Sequence, residues 1–149
     1  MNPDDVLVKL VENREELRKA FHVREIVYIG EQKIDRADEF DEYEPESRHF
    51  VALLDDQPIG AARWRFTNEG VKLERFAVLP DYRKRGVASE LVRAVIEDIR
   101  RHVRFNGQVL YLNAQLTAMP LYEKFGFSPA GDQFMECDIP HQRMERLLL

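Results

Sequence analysis

Between Leu73 and Arg104 the pattern of this chain changes once, and sharply. Val71 to Leu79 reads as a strand, and Pro80 ends it. After a turn rich in basic residues, Leu91, Val92, Val95, Ile96, Ile99 and Val103 recur with a 3.6-residue period, so a strongly amphipathic helix is expected, stopped at Asn106-Gly107. The first turn of any helix leaves backbone N–H groups without partners at the positive end of the helix dipole. A phosphate satisfies both needs. Gly86 would let the backbone approach closely, Ala88 and Ser89 keep the entrance small, Val87 between them belongs to the same cofactor-binding set, and Arg83, Lys84 and Arg85 would attract a polyanion. Solvated arginines on a plain surface turn would have the same composition. The placement between a strand and a periodic helix favours the anion site.

The flanking sequence predicts an α/β fold in one domain spanning residues 1–149. Val6, Val8 and Leu10 suggest a first strand. Asn13 with Glu16 three residues on forms a helix N-cap signal, followed by a helix to about Ile29. Phe50–Leu54 and Ile59–Phe66, joined by Asp55-Asp56-Gln57-Pro58, form a hairpin, and Thr67–Gly70 turns the chain into the strand 71–79. Val109–Leu112 is a buried strand, Thr117–Phe125 a short helix closed by Gly126, and the last strands follow Phe127. A mixed central sheet flanked by helices results.

Composition limits the rest. With 149 residues, 44% of them hydrophobic and 33% charged, the chain can bury one ordinary core. No apolar run approaches the roughly 18 residues of a membrane span. The acidic start Met1–Asp5 lacks signal-peptide character, and Cys137 is the only cysteine. A cytoplasmic location is therefore expected. No metal-ligand spacing occurs among the His and Cys residues, and no basic face suggests nucleic acid. The net charge of −5 is concentrated: Asp35 to Glu46 holds seven acidic residues against Arg36. That segment reads as a solvated loop or short helix, or as a wall that steers a cationic acceptor. The apolar end Leu147-Leu148-Leu149 suggests either packing on the chain's own sheet or a homodimer.

Two stretches carry a family resemblance. Arg83-Lys84-Arg85-Gly86-Val87-Ala88 resembles the Arg/Gln-x-x-Gly-x-Gly/Ala signature with which GNAT acetyltransferases grip the pyrophosphate of acetyl-CoA, Ala88 filling the second small position. Gln115-Leu116-Thr117-Ala118-Met119-Pro120-Leu121-Tyr122-Glu123-Lys124-Phe125-Gly126-Phe127 is similar to the family's Asn-x-x-Ala-x-x-x-Tyr-Glu-Lys-x-Gly-Phe, with Gln115 where Asn is usual. Glu31-Gln32, Asp38-Glu39-Phe40-Asp41 and Glu136-Cys137-Asp138-Ile139-Pro140-His141 are similar to a poorly understood bacterial subfamily.

The resemblance implies a GNAT fold, acetyl-CoA as co-substrate, and direct transfer to a primary amine of a small molecule or peptide in a ternary complex. It implies a bulge in strand 73–79, splayed from strand 109–114. Phe76, Ala77 and Val78 would then hold the pantetheine arm, with the Val78 N–H as oxyanion donor. Tyr122 matches the tyrosine that serves the departing sulfur. Free phenol titrates near 10 and a thiol near 8.5, so full proton transfer is uphill by roughly 2 kcal/mol and a hydrogen bond is the better reading. Glu74, two residues before Phe76 and expected on the same face, is a candidate general base if burial raises its pKa; an ion pair with Arg63 or Arg65 is the alternative. Glu31, His49 and His141 are weaker candidates, His49 as a solvent-edge residue. Cys137 reads as a small apolar filler. An acyl-CoA-binding sensor without turnover would carry the same phosphate turn.

Overall fold

The computed structural model describes residues 5–148. Strand β1 (Val6–Leu10) leads into α1 (Arg14–Arg24), whose start is capped as the sequence suggests: Asn13 Oδ1 accepts from the Glu16 amide at 2.9 Å. The Glu16 carboxylate reaches back to the Glu12 amide at 2.8 Å. The helix then widens into a π-helical stretch, Glu25–Glu31, before the one-turn α2 (Arg36–Glu39). Strands β2 (Arg48–Leu54), β3 (Gln57–Thr67) and β4 (Gly70–Val78) form an antiparallel meander with β1. Helix α3 (Val87–Arg101) crosses to β5 (Leu110–Gln115), then come α4 (Met119–Glu123), β6 (Ser128–Pro129), β7 (Phe134–Glu136) and β8 (Ile139–Arg146). The sheet order is β1-β2-β3-β4-β5-β8-β6, with β7 paired to β8.

Each sheet face has its own core. On one side Leu91, Val92, Val95 and Ile99 of α3 are fully buried against Trp64, Val71, Leu73 and Leu110. On the other, Ala20, Val23 and Val27 pack on Val51, Ala61 and Ala77. Val103, expected to extend the α3 stripe, lies beyond the helix end and is 95% exposed. The capping residue His102 is extended and its amide closes on Ile99 O, which ends the period four residues early. Leu148 packs into the α3-side core while Leu147 is exposed, so Leu148 covers its own sheet; Leu149 lies outside the described residues.

Two irregularities place the site. Opposite β3, residues Ala61 and Arg63 face Ala77 and Glu74, so β4 holds one extra residue, a β-bulge, with Arg75 at φ 61°. Parallel β4 and β5 pair at Val71–Leu110 and Lys72–Tyr111 and no further along. A Cβ at Gly70 would lie 2.3 Å from Val109 O, so glycine is what permits the two strands to meet there. Beyond Lys72 they part.

Candidate active site

The parting of β4 and β5 opens a cleft of about 650 Å³, lined among others by Tyr28, Gln32, Phe76, Val78, Gln115, Tyr122, Cys137 and His141. A crevice at the carboxyl ends of parting strands is where open α/β sheets accept ligands.

Helix α3 follows β4 through a 3₁₀ turn, Pro80–Tyr82, and the residues Arg83 to Gly86. Its first bonded amide is that of Glu90, donating to Gly86 O at 3.1 Å, so the Val87, Ala88 and Ser89 amides have no acceptor within the helix. Gly86 sits at φ 85°, a left-handed conformation. An added Cβ would meet no protein atom within 4 Å, so the backbone angle, not close packing within the protein, calls for glycine here. Arg83, placed in the phosphate-attracting set by the sequence, is engaged elsewhere. Its guanidinium makes a bidentate pair with Glu31 at 2.6 Å and donates to Val78 O at 2.9 Å. Glu31, a candidate base, is held below its ordinary pKa by that pair. Lys84 and Arg85 are exposed, and among the described residues no side chain pairs with either.

The orientation of β4 backbone groups follows from its ladder. The Leu79 amide donates to Ile59 O at 2.9 Å, so by antiparallel alternation the groups of Val78 point away from β3. The Arg83 bond to Val78 O, from that open side, agrees. The Val78 N–H therefore faces the space β5 has left. Ala77, expected beside it in the cofactor set, turns its backbone towards β3 instead, opposite Ala61. Phe76 O accepts from the Tyr28 hydroxyl at 2.5 Å.

Tyr122 is 7% exposed, edge-on to Phe76 with ring centroids 5.7 Å apart. Its helix is pinned to the start of α3 by Lys124 Nζ, which donates to Ser89 Oγ at 2.7 Å. Among the described residues no buried side-chain oxygen or nitrogen lacks a partner and none bonds the Tyr122 hydroxyl, so that hydroxyl opens into the cleft. Burial pushes its pKa above the ordinary phenol value.

Glu74 departs from expectation in two ways. Leu73 and Phe76 both join the α3-side core although three residues apart, because the bulge resets the alternation; Glu74 and Phe76 thus lie on opposite faces. The Glu74 carboxylate lies 2.6 Å from Arg63, 2.9 Å from Arg65 and 3.3 Å from Lys72. Despite desolvation, Arg63 and Lys72 hold it at about 2, not above the carboxylate range. A carboxylate so held is a poor proton acceptor. The acidic segment is solvated only in part: Asp35, Asp38, Glu42 and Glu46 are exposed, whereas Glu39, Asp41 and Glu44 turn inward. Glu39 and Glu44 bind the buried Arg24 at 2.7 Å each, and Asp41 binds the buried Arg63 at 2.7 Å and Arg75 at 3.1 Å. Exposed Asp38 lines the cleft without such a partner among the described residues.

His49 is buried rather than at a solvent edge: Nε2 meets Glu44 O at 2.9 Å and burial lowers its pKa. Cys137 is no core filler. It is exposed at the two-residue turn Cys137-Asp138, with φ of 49° and 62°, between β7 and β8. Partial desolvation, with Asp38 and Glu136 nearby, raises the thiol's pKa, which argues against a reactive thiolate. His141, on β8, is 6% exposed and stacks on Phe134 at 5.8 Å. Three cleft residues were given no role by the sequence, although Gln32 and Glu136 lie in stretches that resemble the subfamily. Tyr28 aims inward from the π-helical stretch, Gln32 pairs with Gln115 at 2.8 Å, and Glu136 reaches the cleft on the β7–β8 hairpin.

Open amides at a helix start, a backbone donor facing the gap and an unpartnered hydroxyl suit an acyl group carried on a phosphorylated arm. The comparisons agree. The description "Acetyltransferase (GNAT) domain" matches residues 18–148, and the chain belongs to this acetyltransferase family. It is 38% identical over 136 residues to the Bacillus subtilis N-acetyltransferase YjcF, itself uncharacterised, covering 91% of this chain and 95% of that one. Among solved structures it is similar to an acyl-CoA N-acyltransferase from Pseudomonas aeruginosa, with TM-score 0.78, 25% identity and coverage of 95% and 98%. A Bacillus subtilis acetyltransferase in complex with CoA shares the fold, with TM-score 0.72, 18% identity and coverage of 97% and 99%.

Proposed function

We propose that this chain transfers the acetyl group of acetyl-CoA directly to a primary amine bound in the same cleft. The observation that carries the reading is the Val78 N–H, aimed into the gap between β4 and β5 beside the Tyr122 hydroxyl and the open start of α3. The Val87, Ala88 and Ser89 amides would bind the diphosphate, with Lys84 and Arg85 adding long-range attraction. The Val78 N–H would bond the carbonyl oxygen as it gains charge, a donor of a kind whose loss costs roughly 3–4 kcal/mol of barrier. Tyr122, its pKa raised by burial, stays protonated at neutral pH and would donate to the departing sulfur. Because that shift widens the gap to a thiol, Tyr122 serves as a hydrogen-bond donor, not as a source of a fully transferred proton.

The test is release of free CoA across a panel of amines, for wild type and Tyr122→Phe. Amine-dependent release is expected, lowered at least about tenfold in kcat by the substitution, with the acetyl-CoA Kd changed less than about twofold. Binding of acetyl-CoA without release for any amine would support a sensor instead.

A further inference from the structure

His141 has one ring nitrogen whose state is dictated by its neighbour. Nδ1 lies 2.6 Å from Ile139 O, and a carbonyl oxygen can only accept, so Nδ1 carries the proton. In the neutral ring Nε2 is then a bare lone pair. The nearest charged group is the Glu136 carboxylate, 3.5 Å from Nε2 and half exposed at the cleft rim. His141 and Glu136 both line the cleft that Tyr122 and Val78 line, and exposed Asp38 lines it too, near Cys137 on the same hairpin. The ring is fixed on three sides: Phe134 stacks on it, the Ile139 carbonyl holds Nδ1, and β5 holds its backbone opposite Gln115. Of the other candidate bases, Glu31, Glu74 and His49 are each tied to partners within the protein.

We propose that His141 is the general base and that the acceptor enters as an alkylammonium ion, drawn in by Asp38 and Glu136. Nε2 takes one proton from the ammonium, and the freed lone pair forms the C–N bond at the thioester carbonyl carbon. The C–S bond breaks with its electron pair staying on sulfur, which takes the second proton lost by nitrogen. The imidazolium pairs with Glu136 and returns its proton to water past that half-exposed carboxylate.

This inference rests on the acetyl-transfer reading, and the experiment separates the two. Wild type and His141→Gln are assayed with the alkylamine that turns over best and with hydroxylamine, which arrives largely unprotonated at neutral pH. For the alkylamine, kcat is expected to fall about 100-fold or more; for hydroxylamine, less than about threefold, with the acetyl-CoA Kd unchanged. Equal losses with both acceptors, or none, would overturn the assignment while leaving acetyl transfer intact. Wild type that releases no CoA with either acceptor would instead refute the transfer reading. Glu136→Gln, at an exposed position, should lower alkylamine turnover more than hydroxylamine turnover, and equal effects would count against the pair. Independently of any acceptor, nitrogen NMR of the wild-type ring should show protonated Nδ1 and bare Nε2; the opposite tautomer would exclude Nε2 as the base.

Discussion

At the scale of single residues, the site is decided by where backbone and ring atoms point more than by which residues are present. Gly86 shows this. Its φ of 85° costs a non-glycine residue roughly 1–2 kcal/mol, although a methyl group would meet no protein atom. Gly86→Ala should therefore lower stability by about that amount in urea titrations and weaken acetyl-CoA binding severalfold, because strain relief reorients the Val87–Ser89 amides. Unchanged affinity alongside lowered stability would separate the turn from ligand binding. Motif spacing made legible that Gly86 opens α3 and that Tyr122 lies on the short helix after β5. The place of Arg83 was not legible, because spacing cannot reveal that Glu31, fifty-two positions away, holds its guanidinium. His49 misled for a similar reason: a histidine opening a strand reads as exposed until α1 covers it.

At the scale of elements, regular pieces were readable and irregular ones were not. The α3 period and the Asn13 cap survive folding because each depends on residues within one or two turns. The bulge at Arg75, which depends on pairing across the sheet, was expected only through the family resemblance, and the π-helical stretch 25–31 was not expected at all; both aim groups at the cleft. The acidic segment is likewise a tertiary feature, a run of carboxylates whose arginine partners lie on α1, β3 and β4. It has a measurable pH signature. Asp41 and Glu74 are each held at about 2, below ordinary values of 3.8 and 4.5, so their stabilisation is present above those values and lost as pH falls towards 2. His49, its pKa lowered by burial, adds an earlier loss, because the unfolded chain takes its proton first, near 6.5. Glu39, raised by burial, runs the other way and partly offsets these. The urea midpoint should fall modestly below pH 6.5 and steeply between about 4.5 and 2. A midpoint flat down to pH 3 would mean that the network is not intact in solution.

At the scale of the whole molecule, one decision organises the rest: β4 and β5 meet at Gly70–Lys72 and then separate. Separation leaves the Val78 N–H without a neighbouring strand, gives Tyr122 a space to face, and sets the start of α3 at one side and the β7–β8 hairpin with His141 near the other. Steering by charge also belongs to this scale. Glu39, Asp41 and Glu44 are neutralised by buried arginines, so attraction for a cation falls to Asp38 and Glu136 at the cleft.

The central claim is that the gap and the helix start together form the thioester site. It is tested most directly by following backbone amide resonances while acetyl-CoA is added to the full chain. The largest shifts should fall on Val78 and on Val87, Ala88 and Ser89. Saturable shifts confined to other surfaces, with those four amides unmoved, would contradict it.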